Sequence, residues 1–201
     1  MMKLYFSFAS PYARKVRMTA TEVGLLDQIA LEVTDAWSAT AGLPDDNPLC
    51  KVPTLVLDDG TPLFDSPVIC EYLNHLGGGS LFPPAETGRW PALRFQALGD
   101  GLCDAAVARR LETLRPEALR SEAWIGRQSA AMVRACDTLE RWAGDLDGPV
   151  TIGSLAVATA LGYLDLRFAG DDWRAGRPGL AAWFESAARR PSFLATLPPA
   201  S

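Results

Sequence analysis

A run of three glycines, Gly77-Gly78-Gly79, splits the chain into two parts with different hydrophobic periods, and that split restricts the folds open to it. Before the run the pattern switches between period 2 and period 3.6; after it only the helical period recurs. Residues 3–8 alternate, with Leu4, Phe6 and Phe8 on one face and Tyr5 and Ser7 on the other, as a strand does. Ala13, Val16, Ala20 and Val23 follow at helical spacing from Pro11, with Gly24 as the stop. Ile29–Val33 reads as a second strand, and the Pro- and Asp-rich stretch at 43–48 as a loop. Residues 54–57 and 62–64 bracket Asp58-Asp59-Gly60, a hairpin signal, and Ile69, Tyr72, Leu73 and Leu76 form one stripe of a helix from Ser66. The order is βαβ, then ββα.

Residues 80–84 read as a linker, and everything beyond them reads as helix. Trp124, Ala131, Met132, Ala135, Leu139 and Trp142 share one helical face, interrupted by Gln128. Residues 155–168 are apolar on nearly all sides, as in a helix at the centre of a bundle, and Pro178, Leu180, Trp183 and Phe184 mark a last helix before Arg190-Pro191. The expected organisation is an α/β domain over residues 1–77, a linker over 78–84, and an all-α helical-bundle domain over 85–201.

Composition narrows the function. The 201 residues are 48% apolar, enough for a sizeable core, and the net charge of −5 argues against a nucleic-acid partner. Arg14, Lys15 and Arg17 are the only dense basic stretch and read as the solvated face of a helix. Cys50, Cys70, Cys103 and Cys136 lie far apart without a C-x-x-C pair, and His75 is the only histidine, so no metal site is expected. Reduced cysteines, and no apolar run of membrane-spanning length, fit a soluble cytoplasmic chain without a membrane partner. The pairs Asp45-Asp46, Asp58-Asp59 and Asp171-Asp172 sit in turn-like sequence and read as solvated loops rather than acid–base dyads.

Two helix starts, Ser10-Pro11 and Ser66-Pro67, flank a Val52-Pro53 pair. Each Ser-Pro is expected to put a hydroxyl at the N-cap and proline at the first helical position, where its missing N–H costs nothing. Two such N-termini facing one cleft suit a ligand with a thiolate at one end and a carboxylate at the other. A cis bond before Pro53 would turn Val52 so that its N–H and C=O meet an extended peptide.

With its βαβ-ββα order and a proline before the third strand, the chain resembles a cytosolic glutathione transferase, most closely the bacterial members with serine at the active position. The resemblance rests on Ser10-Pro11-Tyr12, on Asn47-Pro48-Leu49-Cys50-Lys51-Val52-Pro53, on Asp65-Ser66-Pro67 and on the closing Arg190-Pro191-Ser192-Phe193. It implies a thioredoxin-like first domain with a mixed four-stranded sheet, and glutathione as co-substrate held by Lys51, Val52, Pro53, Asp65 and Ser66. Ser10 is then the catalytic residue. Phe8, Pro11 and Tyr12 line the site of a small hydrophobic electrophile, to which the all-α domain also contributes, near Arg109, Leu111 or Trp173. The resemblance further implies a homodimer, with Val68, Glu71 and Arg94 at its contact, and a role in detoxification. A non-catalytic binding or regulatory protein, and a glutathione-dependent isomerase or dehalogenase, are the competing readings of the same motifs.

A free thiol with a pKa near 8.5 is mostly protonated at neutral pH, so the chemistry requires a stabilised thiolate, to which Ser10 would donate. Serine in place of cysteine at position 10 argues against chemistry through an enzyme mixed disulfide. Cys50 stands where similar sequences carry glycine, and packing is its expected role. Ser154 stands where they carry aspartate in a capping box, which predicts a weaker helix start.

Overall fold

The structure, a computed structural model, describes residues 1–38 and 42–199. The chain forms two compact units: Met1–Arg89 together with the closing segment from Pro191, and Trp90–Arg190.

The first unit is built on strands β1 (Met2–Phe6), β2 (Ile29–Val33), β3 (Thr54–Val56) and β4 (Pro62–Leu63), in the spatial order β2-β1-β3-β4. β1 runs parallel to β2 and antiparallel to β3, and β3 is antiparallel to β4, so the sheet is mixed as expected. Helix α1 (Pro11–Glu22) connects the parallel pair, because parallel neighbours need a crossover. α2 (Leu43–Asp46) precedes β3, and α3 (Ser66–Leu76) follows β4. Leu4 and its register partner Leu55 are fully buried, as are Val16 of α1 and Ile69 and Leu73 of α3. Each such side chain contributes about 1.5–3 kcal/mol of burial free energy.

Local differences from the sequence pattern have physical causes. β1 ends at Phe6, leaving Phe8 beyond the ladder and partly exposed. The stretch expected to be a loop contains the single turn α2, closed by a 2.8 Å bond from the Gly42 N–H to Asp45 Oδ2. The hairpin turn forms as expected: Gly60 has φ +87°, and Thr61 N–H donates to Asp59 Oδ1 at 2.9 Å. The glycine run does more than end α3. A Cβ on Gly77 would lie 2.8 Å from Cβ of Val23, so the end of α3 approaches the end of α1 only because Gly77 has no side chain.

The second unit contains α4 (Arg89–Leu114) from Trp90 onward, α5 (Glu122–Arg141), α6 (Ile152–Arg167) and α7 (Pro178–Ala187). Helix α6 is buried over nearly its whole length, as its all-round apolar sequence required. On α5 the buried stripe is Met132, Cys136 and Leu139, while Trp124 is exposed, so the seam is narrower than the apolar pattern suggested. The α6 start carries its capping box with serine in the third position. Ser154 N–H donates to Thr151 Oγ1 at 3.3 Å and Thr151 N–H to Ser154 Oγ at 3.0 Å, so serine closes the capping box from both sides.

The chain then returns to the first unit as α8 (Pro191–Leu194), which packs on α1. The basic triplet is not a solvated face: Arg14, Lys15 and Arg17 are all buried, and Arg14 and Arg17 bond to the segment that has arrived. Arg14 Nη2 donates to the Phe193 carbonyl at 3.1 Å and Arg14 Nε to Thr196 Oγ1 at 3.4 Å, with the guanidinium 3.9 Å from the Phe193 ring. Arg17 Nη2 donates to the Ala195 carbonyl at 3.4 Å and lies over Phe6 and Phe8. The carbonyls at the end of a helix are natural partners for these cations. Burial and the neighbouring Arg17 lower the Arg14 pKa to about 10, still charged at neutral pH.

Candidate functional site

Strand register gathers the three sequence motifs. Tyr5 pairs antiparallel with Thr54, which sets the end of β1 beside the start of β3. Leu55 pairs antiparallel with Leu63, which brings the end of β4 to that same start. Ser10 lies just beyond β1, Val52 just before β3, and Asp65 just after β4, so all three occupy one end of the sheet.

Ser10 is the N-cap of α1, in extended conformation, with Pro11 following it. Its Oγ accepts from the Ala13 N–H at 3.2 Å. That bond uses a lone pair and leaves the hydroxyl proton to donate; among the described residues it has no acceptor.

The second Ser-Pro is built differently. Asp65, not Ser66, is the N-cap: its carbonyl accepts from the Ile69 N–H at 3.0 Å, so Ser66 and Pro67 occupy the first two helical positions. The Asp65 carboxylate makes no capping bond and is exposed, whereas Ser66 is buried. The α3 start therefore presents an uncommitted carboxylate beside a hydroxyl and the N–H groups of a first turn. This arrangement takes an ammonium and a carboxylate side by side.

The Val52–Pro53 peptide is cis, as is Phe64–Asp65. Among the described residues no hydrogen bond uses the N–H or C=O of Val52, which is half-buried; Lys51 is exposed and Pro53 buried. Cys50 adopts φ +47°, which explains why glycine suits this position, and its Sγ–H donates to the Ala36 carbonyl at 3.4 Å.

The loop leading to Val52 is fastened by Asn47 and Thr54, two residues to which the sequence reading gave no role of their own. Asn47 is almost completely buried; its Nδ2 donates to the Lys51 carbonyl at 3.2 Å and to Thr54 Oγ1 at 2.8 Å, and its Oδ1 accepts from the Leu49 N–H at 2.9 Å. Thr54 Oγ1 donates in turn to the Lys51 carbonyl at 2.8 Å. Next to Asn47, Asp46 accepts from the Tyr5 hydroxyl at 2.9 Å, and Tyr5 also receives a bond from Lys3. Burial raises the Tyr5 pKa above its ordinary value, so it remains a donor. The available signal was the Asn-Pro turn, since buried asparagine at such a turn commonly bonds nearby backbone.

Of the three residues expected to line an electrophile site, Phe8 is partly exposed and stands edge-on to Phe6 with ring centroids 4.9 Å apart. Tyr12 is half-buried and Pro11 buried. Arg109 pairs with Asp171, with its guanidinium 4.6 Å from the Phe168 ring, so that aspartate is not a free solvated carboxylate. Among the described residues no group of histidines, cysteines and carboxylates could hold a metal ion, and no helix is long and apolar enough to cross a membrane.

Comparison with known proteins matches this geometry to one family. Residues 9–76 match the model for the glutathione S-transferase N-terminal domain, and residues 122–186 the model for the C-terminal domain. The chain is 35% identical over 204 residues to the uncharacterized GST-like protein YibF of Escherichia coli K12, covering 98% of this chain and 99% of that one. It superposes with a TM-score of 0.95 on a glutathione transferase family member from Pseudomonas fluorescens Pf-5 solved with bound glutathione, at 40% identity over the whole of both chains. A structure of such a family member from that organism with bound S-(propanoic acid)-glutathione gives a TM-score of 0.90 at 39% identity, covering 99% of this chain and 100% of the other. The chain belongs to the glutathione S-transferase family.

Proposed function

We propose that this chain binds glutathione at the end of the sheet where Ser10, Val52 and Asp65-Ser66 meet, and activates it as a thiolate for attack on a small hydrophobic electrophile. The convergence of those three elements through strand register is the observation that carries the reading. In it the Asp65 carboxylate takes the γ-glutamyl ammonium, while the Ser66 hydroxyl and the first N–H groups of α3 take the adjoining carboxylate. The unused N–H and C=O of Val52 pair with the cysteinyl residue, with Pro53 behind them, and Lys51 faces the remaining carboxylate. Phe8, Pro11 and Tyr12 receive the electrophile.

Ser10 then acts as donor, neither base nor nucleophile. Its Oγ is already oriented by the Ala13 N–H, and its O–H is left to donate to the sulfur. Donation to a charged acceptor is worth about 1.5–3 kcal/mol, and the α1 N-terminus adds about 0.3–1 kcal/mol. Together these lower the bound thiol by roughly one to three pKa units. The thioether bound by the Pseudomonas relative is the kind of product such an attack yields. A cytoplasmic homodimer acting in detoxification belongs to the same reading, and the exposed apolar Val68 on α3 suits such a contact.

The test is calorimetric titration with glutathione, followed by ultraviolet titration of the bound thiol in wild type and Ser10→Ala. Wild type is expected to bind and to depress the thiol pKa, and the variant to return it upward by about one to two units. Absence of binding overturns the whole reading. Binding with an undepressed thiol leaves a binding protein, and a depression indifferent to Ser10 removes this mechanism.

A further inference from the structure

We infer that Asn47, acting with Thr54, is a positioning residue for glutathione, a clasp that holds the Val52 peptide groups in the register a bound tripeptide needs. The inference rests on the glutathione-binding reading above and adds to it residues that do not touch the ligand.

Among the described residues neither peptide group of Val52 has a hydrogen-bond partner. A segment that leaves an N–H and a C=O without partners has given up the bonds that would fix it, so something else must hold it. Asn47 is buried, and its amide spends both kinds of polar atom on the surrounding loop: Oδ1 on Leu49, Nδ2 on Lys51 and Thr54. The Lys51 carbonyl, immediately before Val52, receives two donors, one from Asn47 and one from Thr54. Thr54 opens β3 and pairs with Tyr5, whose hydroxyl holds Asp46 next to Asn47. The loop is thus tied at both ends to the same point of the sheet. Among the described residues both peptide groups of Val52 lie outside the tie, and they are the ones the proposed ligand uses.

Such a clasp contributes to affinity by removing the ordering that binding would otherwise require. It has no route to the sulfur, which belongs to Ser10. The two residues should therefore separate in experiment: Ser10 governs the thiol pKa, and Asn47 governs affinity.

The decisive measurement is glutathione affinity by calorimetry together with the pKa of the bound thiol. The variants are Asn47→Ala, Thr54→Val and Thr54→Ser, each checked for native circular dichroism. Asn47→Ala is expected to weaken glutathione about tenfold, and Thr54→Val several-fold, with the bound thiol pKa unchanged. Thr54→Ser, which keeps the hydroxyl, is expected to stay within about twofold of wild type. If Asn47→Ala does not fold, the Val and Ser variants at Thr54 decide alone. Folded variants that bind as tightly as wild type, a Thr54→Ser no better than Thr54→Val, or a thiol pKa that moves along with affinity each overturn the inference. Failure of wild type itself to bind refutes the underlying function instead, so the two failures are distinct.

Discussion

Two glycines of α4, Gly99 and Gly101, should respond oppositely to the same substitution. In a helix interior alanine is favoured over glycine by about 0.8–1 kcal/mol, and both positions gain that term. Gly101 is exposed, and a Cβ there meets nothing within 4 Å, so Gly101→Ala should stabilise by close to the full amount. Gly99 is buried, and its Cβ would lie 2.7 Å from the Ala156 carbonyl carbon and 2.9 Å from the Val157 nitrogen. Those are backbone atoms of α6, which no rotamer change can move aside. Forcing extra volume into a packed core costs about 1–3 kcal/mol, and a backbone neighbour puts this site at the upper end. The net expectation for Gly99→Ala is a loss of about 1–2 kcal/mol, separating the two variants by about 2–3 kcal/mol. Urea unfolding followed by helical circular dichroism reads this as opposite displacements of the midpoint at unchanged slope. A Gly99→Ala protein as stable as wild type would refute the claim that α4 and α6 touch backbone to backbone.

Two further outcomes concern the cysteines. Burial raises the Cys136 pKa from 9.0 to about 11, so between those pH values the unfolded chain has released a proton that the folded chain keeps. Stability should then fall as pH rises through that window, by about 2–3 kcal/mol from this group, and Cys136→Ala should flatten the fall in alkaline urea titrations; an unaltered slope would rule the group out. At Cys50 the left-handed backbone disfavours any side chain, so Cys50→Gly should raise stability by about 0.5–1 kcal/mol after the entropy cost of glycine, read as a higher thermal midpoint. A lower midpoint would mean that the sulfur contact to the Ala36 carbonyl outweighs the strain.

Periodicity made the elements legible because each buries one face. Ile29–Val33 and the helix from Pro11 emerge where the apolar spacing places them, and α6 is buried as its composition demanded. What spacing cannot report is polar pairing between distant residues. The burial of Arg14 depends on carbonyls near residue 193, and the clasp on Asn47 depends on Thr54 arriving in register beside Tyr5. The second Ser-Pro illustrates the limit at short range: Asp65 and Ser66 are both good caps, and which one stands at the boundary is set by where β4 ends. Ser154 shows that a capping box is satisfied by geometry as well as by residue preference.

The return of the chain to α1 bears on how this protein is made. Arg14 and Arg17 are synthesised well before the carbonyls that receive them, at Phe193 and Ala195, 179 and 178 residues further along the chain. Until that segment is made, the nascent first unit carries two cations whose burial has no compensating acceptor from it, a state that opposes closure of its core. Vectorial folding, in which an amino-terminal unit is finished before the next begins, is therefore denied to this topology. The native α1 packing is completed only once the segment from Pro191 has joined the first unit, and a fragment ending at Arg89 lacks the residues needed to reach it.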